Sequence, residues 1–141
     1  MGSTPGSTEN MNRAVVAFLD GRRLKGYLLN FSAIKESFRL FSSDNAKQQA
    51  GSDIFMKDLK AIFFVRDFEG DPSRNESPNP NSLKHGRKVQ VTFKDGEQIS
   101  GATEAYSAQK LGFFMFPLCD DSNNLRIFVI NRNVAQVKVG G

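Results

Sequence analysis

The chain repeats itself, and the repeat constrains its fold more than any single motif does. In the first half Ala14-Val-Val-Ala-Phe18-Leu-Asp20-Gly21 is followed by Leu24 and Gly26; in the second, Val89-Gln-Val-Thr-Phe93-Lys-Asp95-Gly96 is followed by Ile99 and Gly101, a displacement of 75 residues. The same displacement carries Phe31-Ser32 onto Tyr106-Ser107, Phe38-Arg-Leu-Phe41 onto Phe113-Phe-Met-Phe116, and Leu59-Lys-Ala-Ile62-Phe-Phe64 onto Val134-Ala-Gln-Val137-Lys-Val139. Ile54-Phe55 and Ile127-Phe128 also match, with a two-residue slip that a loop would absorb. An ordered set of matches points to duplication of one unit.

Each unit is expected to hold five short strands. Asp20-Gly21 and Asp95-Gly96, flanked by apolar alternation, signal tight hairpins, because glycine accepts the positive φ that such turns require. Gly26 and Gly101 fall inside the second strands, where a missing side chain marks a bend or bulge. Aromatic and β-branched runs supply the later strands at Phe38 to Phe41, Ile54 to Met56 and Ala61 to Val65, and at Phe113 to Phe116, Leu125 to Ile130 and Val134 to Val139. The short connections Lys57 to Lys60 and Asn131 to Asn133 suit one helical turn each, and Asp44 to Ser52 suits a surface loop.

The expected organisation is a disordered leader over 1–12, a first small β-barrel over 13–69, a flexible linker over 70–87 and a second small β-barrel over 88–141. The linker is expected from its clustered proline, serine and asparagine, which pre-set turns and offer nothing to bury. The two units should then be hinged or docked, not interleaved. No apolar run approaches the roughly 18 residues of a membrane helix, and Met1 to Asn12 lack the cationic start and apolar stretch of a signal peptide. The single cysteine, Cys119, rules out an internal disulfide and a cysteine-rich zinc site, and fits a cytoplasmic location.

The equivalent strands differ on one face. Where the second half has Gln90, Thr92 and Lys94, the first has Val15, Ala17 and Leu19; where the second has Gln136, Lys138 and Gly140, the first has Ala61, Phe63 and Val65. With the first and last strands as neighbours, these six apolar residues form one patch, which a soluble monomer seldom leaves bare. They are the candidate interface, docking onto the second unit or onto another copy. The alternative is a strand buried on both faces within one larger sheet.

An apolar strand, Asp-Gly, a glycine five residues later and two closing strands around a short turn together resemble the Sm-like, SH3-type small barrels. The phrases Asp58-Leu-Lys-Ala-Ile-Phe-Phe-Val-Arg-Asp-Phe-Glu-Gly70 and Asn123-Asn-Leu-Arg-Ile-Phe-Val129 also resemble an uncharacterised bacterial domain family found near signalling proteins. The RNA site of Sm-like proteins, an Asp and Asn in the third loop with an Arg-Gly near the fourth strand, has no counterpart: Ser32 and Glu36 occupy that loop in one half, Ser107 and Leu111 in the other.

Nothing assembles a catalytic constellation. His85, the only histidine, falls in the linker and gives Cys119 no dyad partner. Asp120-Asp121 with Asn123-Asn124 lack the glycine and distal glutamate of a calcium loop and suit a polar turn. The net charge of +4, from 19 basic and 15 acidic residues, is compatible with an anionic partner. Candidate anion or nucleic-acid contacts are Arg22, Arg23, Lys25, Lys84, Arg87 and Lys88, beside Tyr27 and Phe31, since cations and aromatic rings together hold single strands. The expected function is a non-catalytic binding or scaffold module without cofactor or metal, engaged in protein–protein interaction or self-association in bacterial signalling or regulation. Nucleic-acid or nucleotide binding is the alternative, and no membrane is involved.

Overall fold

Apolar alternation ending in Asp-Gly folds each half into a hairpin. β1 (Met11–Phe18) turns back onto β2 (Arg23–Leu29), and β6 (Arg87–Phe93) onto β7 (Gln98–Thr103). Gly21 and Gly96 hold the turns at φ of 99° and 95°. In both turns the aspartate Oδ1 accepts the N–H two residues on, Arg22 in one and Glu97 in the other, at 3.0 Å. β3 (Ser37–Phe41), β4 (Ser52–Phe55) and β5 (Leu59–Val65) complete the first half, and β8 (Gly112–Met115), β9 (Asn124–Ile130) and β10 (Val134–Val139) the second. A single 3-10 turn joins the last two strands of each half, Met56–Asp58 and Asn131–Asn133. This computed structural model describes residues 11–29, 31–42, 51–68, 86–104, 106–118 and 122–140, and among them the fold is all-β.

Pairing in the first half recurs 75 residues on in the second. Ala14 opposite Gly26 becomes Val89 opposite Gly101. Ala14 opposite Phe64 becomes Val89 opposite Val139, and both ladders carry a bulge at the same place, before Phe18 and before Phe93. Tyr27 opposite Phe41 becomes the bridge between Ala102 and Phe116. Phe38 opposite Ile54 becomes Phe113 opposite Val129, so the two-residue slip expected at Ile54-Phe55 is absent: Ile54 corresponds to Val129 and Phe55 to Ile130. Identity at single positions is a poorer guide to register than backbone pairing, because any apolar residue serves the same buried site.

The two in-strand glycines mark close approaches. A Cβ at Gly26 would lie 2.7 Å from the Phe41 carbonyl oxygen, and one at Gly101 would lie 2.4 Å from that of Phe116. At these points the chain after the glycine strand pairs back so closely that no side chain fits.

The expected closure into two barrels is not found among the described residues. The described strands form a seven-stranded sheet, β4-β3-β2-β1-β5-β9-β8, and a three-stranded sheet, β10-β6-β7. The reason lies at β5, whose outer edge is taken by β9 of the other half: Ala61 pairs with Val129, Ile62 with Phe128, Phe63 with Ile127 and Phe64 with Arg126. The halves therefore share one sheet instead of lying hinged or docked beside each other. β1 begins at Met11, inside the expected leader, and β6 at Arg87, inside the expected linker. The rest of both segments, 1–10 and 70–85, and the loop 43–50 lie outside the described residues.

Because β5 and β9 lie mid-sheet, their alternate side chains serve two cores. One core takes Ala14, Val16, Phe18, Leu28, Ile62 and Phe64 from the first half together with Phe128 and Ile130 from the second. The other takes Val89, Val91, Phe93, Phe113, Met115, Ile127 and Val129 together with Ala17, Ala61, Phe63 and Val65 of the first half. All seven residues of β5 are consequently buried. Asn133, also buried, donates from Nδ2 to the carbonyls of Lys57 and Leu59 at 2.9 and 2.7 Å, tying one 3-10 turn to the other. No helix among the described residues is long and apolar enough to cross a membrane.

Candidate functional site

Five of the six apolar interface candidates face the second half of their own chain; Leu19 instead lines an open surface pocket with Phe18, Asp20, Arg22, Lys57 and Asp58. Ala17, Ala61, Phe63 and Val65 belong to the second core, Val15 packs against it, and Leu19 is half-buried. This face is occupied internally and offers no surface to an outside partner. It is the strand buried on both faces, a pattern that a second apolar stripe on one strand signals.

An ionic clamp closes the same joint. Lys60, the bulged residue of β5, is 5% exposed, and its Nζ donates to Asp95 Oδ2 at 2.6 Å and to Glu97 Oε1. Arg23 donates to the other side of the Glu97 carboxylate at 3.3 Å and lays its guanidinium over the Phe63 ring at 5.3 Å. Burial alone would pull the Lys60 pKa down, but the hydrogen bonds and charges of Asp95 and Glu97 outweigh it and leave it raised. Lys60 in turn holds the Asp95 carboxyl below its usual value, with help from the Glu97 N–H. A buried pair of this kind fixes which surfaces meet more than it adds stability.

The basic candidates do not form a free patch. Arg22 pairs with Asp20 at 2.8 Å and stacks over Phe18, Arg23 is committed to Glu97, and Lys25 donates to the Phe68 carbonyl at 3.1 Å. Arg87 and Lys88 open β6 on the other sheet, and Lys84 lies outside the described residues, as do His85 and Cys119. Of the polar run, Asp120 and Asp121 lie outside the described residues, and the Asn123 side chain accepts the Asp67 N–H at 3.2 Å and donates to the Asp67 carbonyl at 2.9 Å.

The site that the sequence did not reveal is a groove of about 390 Å³ lined by Ala33, Ile34, Lys110, Leu111, Gly112, Phe113, Phe114 and Phe128. It opens where the loop after β2 meets the loop before β8, the edge strand of the larger sheet. Its floor is an aromatic cluster, with Phe31, Phe114 and Phe128 ring centres 5.0 to 6.2 Å apart. Ile34 stands at its lip, 87% exposed, and Lys110 supplies the one charge in its wall. Volume and lining fall in the range of ligand-binding clefts.

Beside the groove lies Arg126. β9 places it on the face of Phe128, directly opposite Phe64, and its guanidinium rests 4.5 Å from the Phe64 ring centre and 4.6 Å from that of Phe114. Burial pulls its pKa below the usual arginine value. Among the described residues no carboxylate or carbonyl engages it; its partners are the two rings. Such stacking contributes about 0.5–2 kcal/mol and leaves the N–H fork without acceptors. Arg126 was inconspicuous in the sequence because its isolation among apolar residues resembles the polar positions of any alternating strand. The arrangement can hold an apolar group beside an anion; it assembles no acid, base and nucleophile.

The chain belongs to a family of unknown function, DUF6982, whose model matches residues 10–141. No curated protein and no solved structure matches it.

Proposed function

We propose that this family member is a non-catalytic binding module, a fused pair of five-stranded units of the Sm-like, SH3-type kind. Its groove takes an apolar side chain from a protein partner while Arg126 and Lys110 take a carboxylate next to it. Duplication is supported by the common strand register, in which most pairings of the first half recur 75 residues on. The binding role rests on one observation: a half-buried guanidinium, in contact with the Phe64 and Phe114 rings and without a protein acceptor among the described residues, shares Phe114 with an open apolar groove. A half-exposed guanidinium held in place by two rings can exchange solvent for a carboxylate in a charge-assisted hydrogen bond.

Arg22, Arg23 and Lys25 are exposed but each has a partner within the chain, which lends less support to nucleic-acid binding than a row of unpaired cations would. A protein ligand is favoured over a phosphate chain because the groove wall is apolar around a single lysine.

Panning random heptapeptides against the protein tests this. Enriched peptides should carry a large apolar residue with Asp or Glu within two positions, and should lose at least tenfold in affinity to Arg126→Gln and to Leu111→Asp. Enrichment without that pairing, or binding untouched by both substitutions, would refute the groove as the site. Binding of single-stranded RNA that weakens steeply with salt and is lost in Arg22→Ala with Arg23→Ala would replace this reading with the nucleic-acid one.

A further inference from the structure

The joint between the halves is a head-to-tail contact: the fifth strand of one unit, β5, adds to the fourth strand of the next, β9. A contact of that type is not self-complementary, so repeated between chains it builds a ring or a filament. The equivalent strands at the two ends, β10 and β4, each pair on one side only among the described residues, with β6 and β3, which leaves an outer edge on each where the same step would be repeated between chains. We propose that the chain carries its own stop: β10 and β4 are polar-terminated copies of the joint, and they hold the protein to one chain per particle.

The repeated register identifies the stop residue by residue. Shifting the joint by 75 positions would set Gln136 against Ile54 of a second copy, Val137 against its Asp53 and Lys138 against its Ser52. In the joint, every residue of β5 is buried, whereas Gln136, Lys138 and Val139 of β10 are exposed. On the other side, Ile127, Phe128, Val129 and Ile130 of β9 are all buried, whereas Ser52, Asp53 and Phe55 of β4 are exposed and only Ile54 is buried.

Docking a second copy would place the Lys138 ammonium where Phe63 enters a core, and the Asp53 carboxylate where Phe128 does. Side chains directly opposite on paired strands share a face, and successive ones alternate. Lys138 faces with Ser52, and Asp53 faces with Val137, so the two charges lie on opposite sides of the sheet and cannot neutralise each other. An unpaired charge in an apolar site is strongly disfavoured.

The ionic clamp is not repeated either. The position of Lys60 is taken by Ala135, and the positions of Asp95 and Glu97 by Asp20 and Arg22, which bind each other. Charged residues on an open strand edge are a general means of preventing edge-to-edge association.

Light scattering on the wild-type chain should give a single-chain mass of 15.7 kDa at every concentration from micromolar to millimolar. A second pair of variants restores the joint: Asp53→Phe in one chain, and Gln136→Ala with Lys138→Phe in another. Mixed together they should form a one-to-one pair that neither forms with wild type. A wild-type dimer or larger assembly would overturn the proposal, as would failure of the two variants, each showing a folded thermal transition, to associate on mixing. If the variants do not fold, the wild-type mass still decides, since the stop requires one chain per particle.

Discussion

Truncating Phe63 to alanine should destabilise the protein by about 3–5 kcal/mol, while truncating Lys138, its counterpart 75 residues on, should change stability by less than about 0.5 kcal/mol. Phe63 is 9% exposed and is packed in the second core with Val89, Val91, Phe93, Met115 and Ile127. Losing its ring forfeits about 2–3 kcal/mol of transfer free energy. Incomplete collapse of the cavity adds about 1–2 kcal/mol. The cation–π contact with Arg23 disappears as well, at about 0.5 kcal/mol for so open a guanidinium. Lys138 is exposed on the edge strand β10 and buries no apolar surface of note.

Urea unfolding followed by circular dichroism measures both effects from the midpoint, with an unchanged slope showing that the same surface is exposed. Because the halves share one sheet and exchange residues between their cores, wild type should unfold in a single transition whichever half is probed. A loss below about 1 kcal/mol for Phe63→Ala, equal effects at both positions, or two separate transitions would refute the joint as described.

Lys60→Met should cost about 1–2 kcal/mol near neutral pH, a buried-pair loss reduced because Asp95 and Glu97 remain partly open to water. The pH profile reports the mechanism. Asp95, with its folded pKa below 3.8, stabilises the fold above that value and loses the contribution as pH falls through the depressed pKa. Lys60, raised above 10.5, stabilises the fold below that value and loses its contribution as pH rises through the raised pKa. Thermal unfolding across pH should therefore show a shallower acid limb and a shallower alkaline limb in Lys60→Met; limbs identical to wild type would contradict the clamp. Gly26→Ala and Gly101→Ala should each cost about 1–3 kcal/mol by driving a methyl into the carbonyl of Phe41 or Phe116. If either is neutral in denaturant titration, the close crossing at that strand is wrong.

Much of the local structure was legible in the residues. The Asp-Gly hairpins, the in-strand glycines, the one-turn connection at 131–133 and the strands from Phe38 to Val139 follow from alternation, turn chemistry and β-propensity, all of which act within a few residues; the turn expected at Lys57 to Lys60 falls at Met56–Asp58, with Lys60 already in β5. The displacement of 75 was legible too, because turns and strand pairings recur at that spacing in both halves. Even the joint left a trace: Val15, Ala17, Ala61, Phe63 and Val65 are apolar where their counterparts Gln90, Thr92, Gln136, Lys138 and Gly140 are not.

The sequence by itself determined that this face is covered; only the tertiary structure decided by what. Phe63 meets Ile127 across β5 and β9, and no local pattern distinguishes that pairing from a barrel closing on itself, since either buries the same side chains and satisfies backbone edges. The same holds for the groove, where Ala33 and Phe114 come together from different halves, and for Arg126, whose surroundings are set by strands far from it in the chain. Alternation specifies which side of a strand is apolar, but the choice of neighbour depends on the summed packing of both faces at once, and that sum exists only in the folded chain.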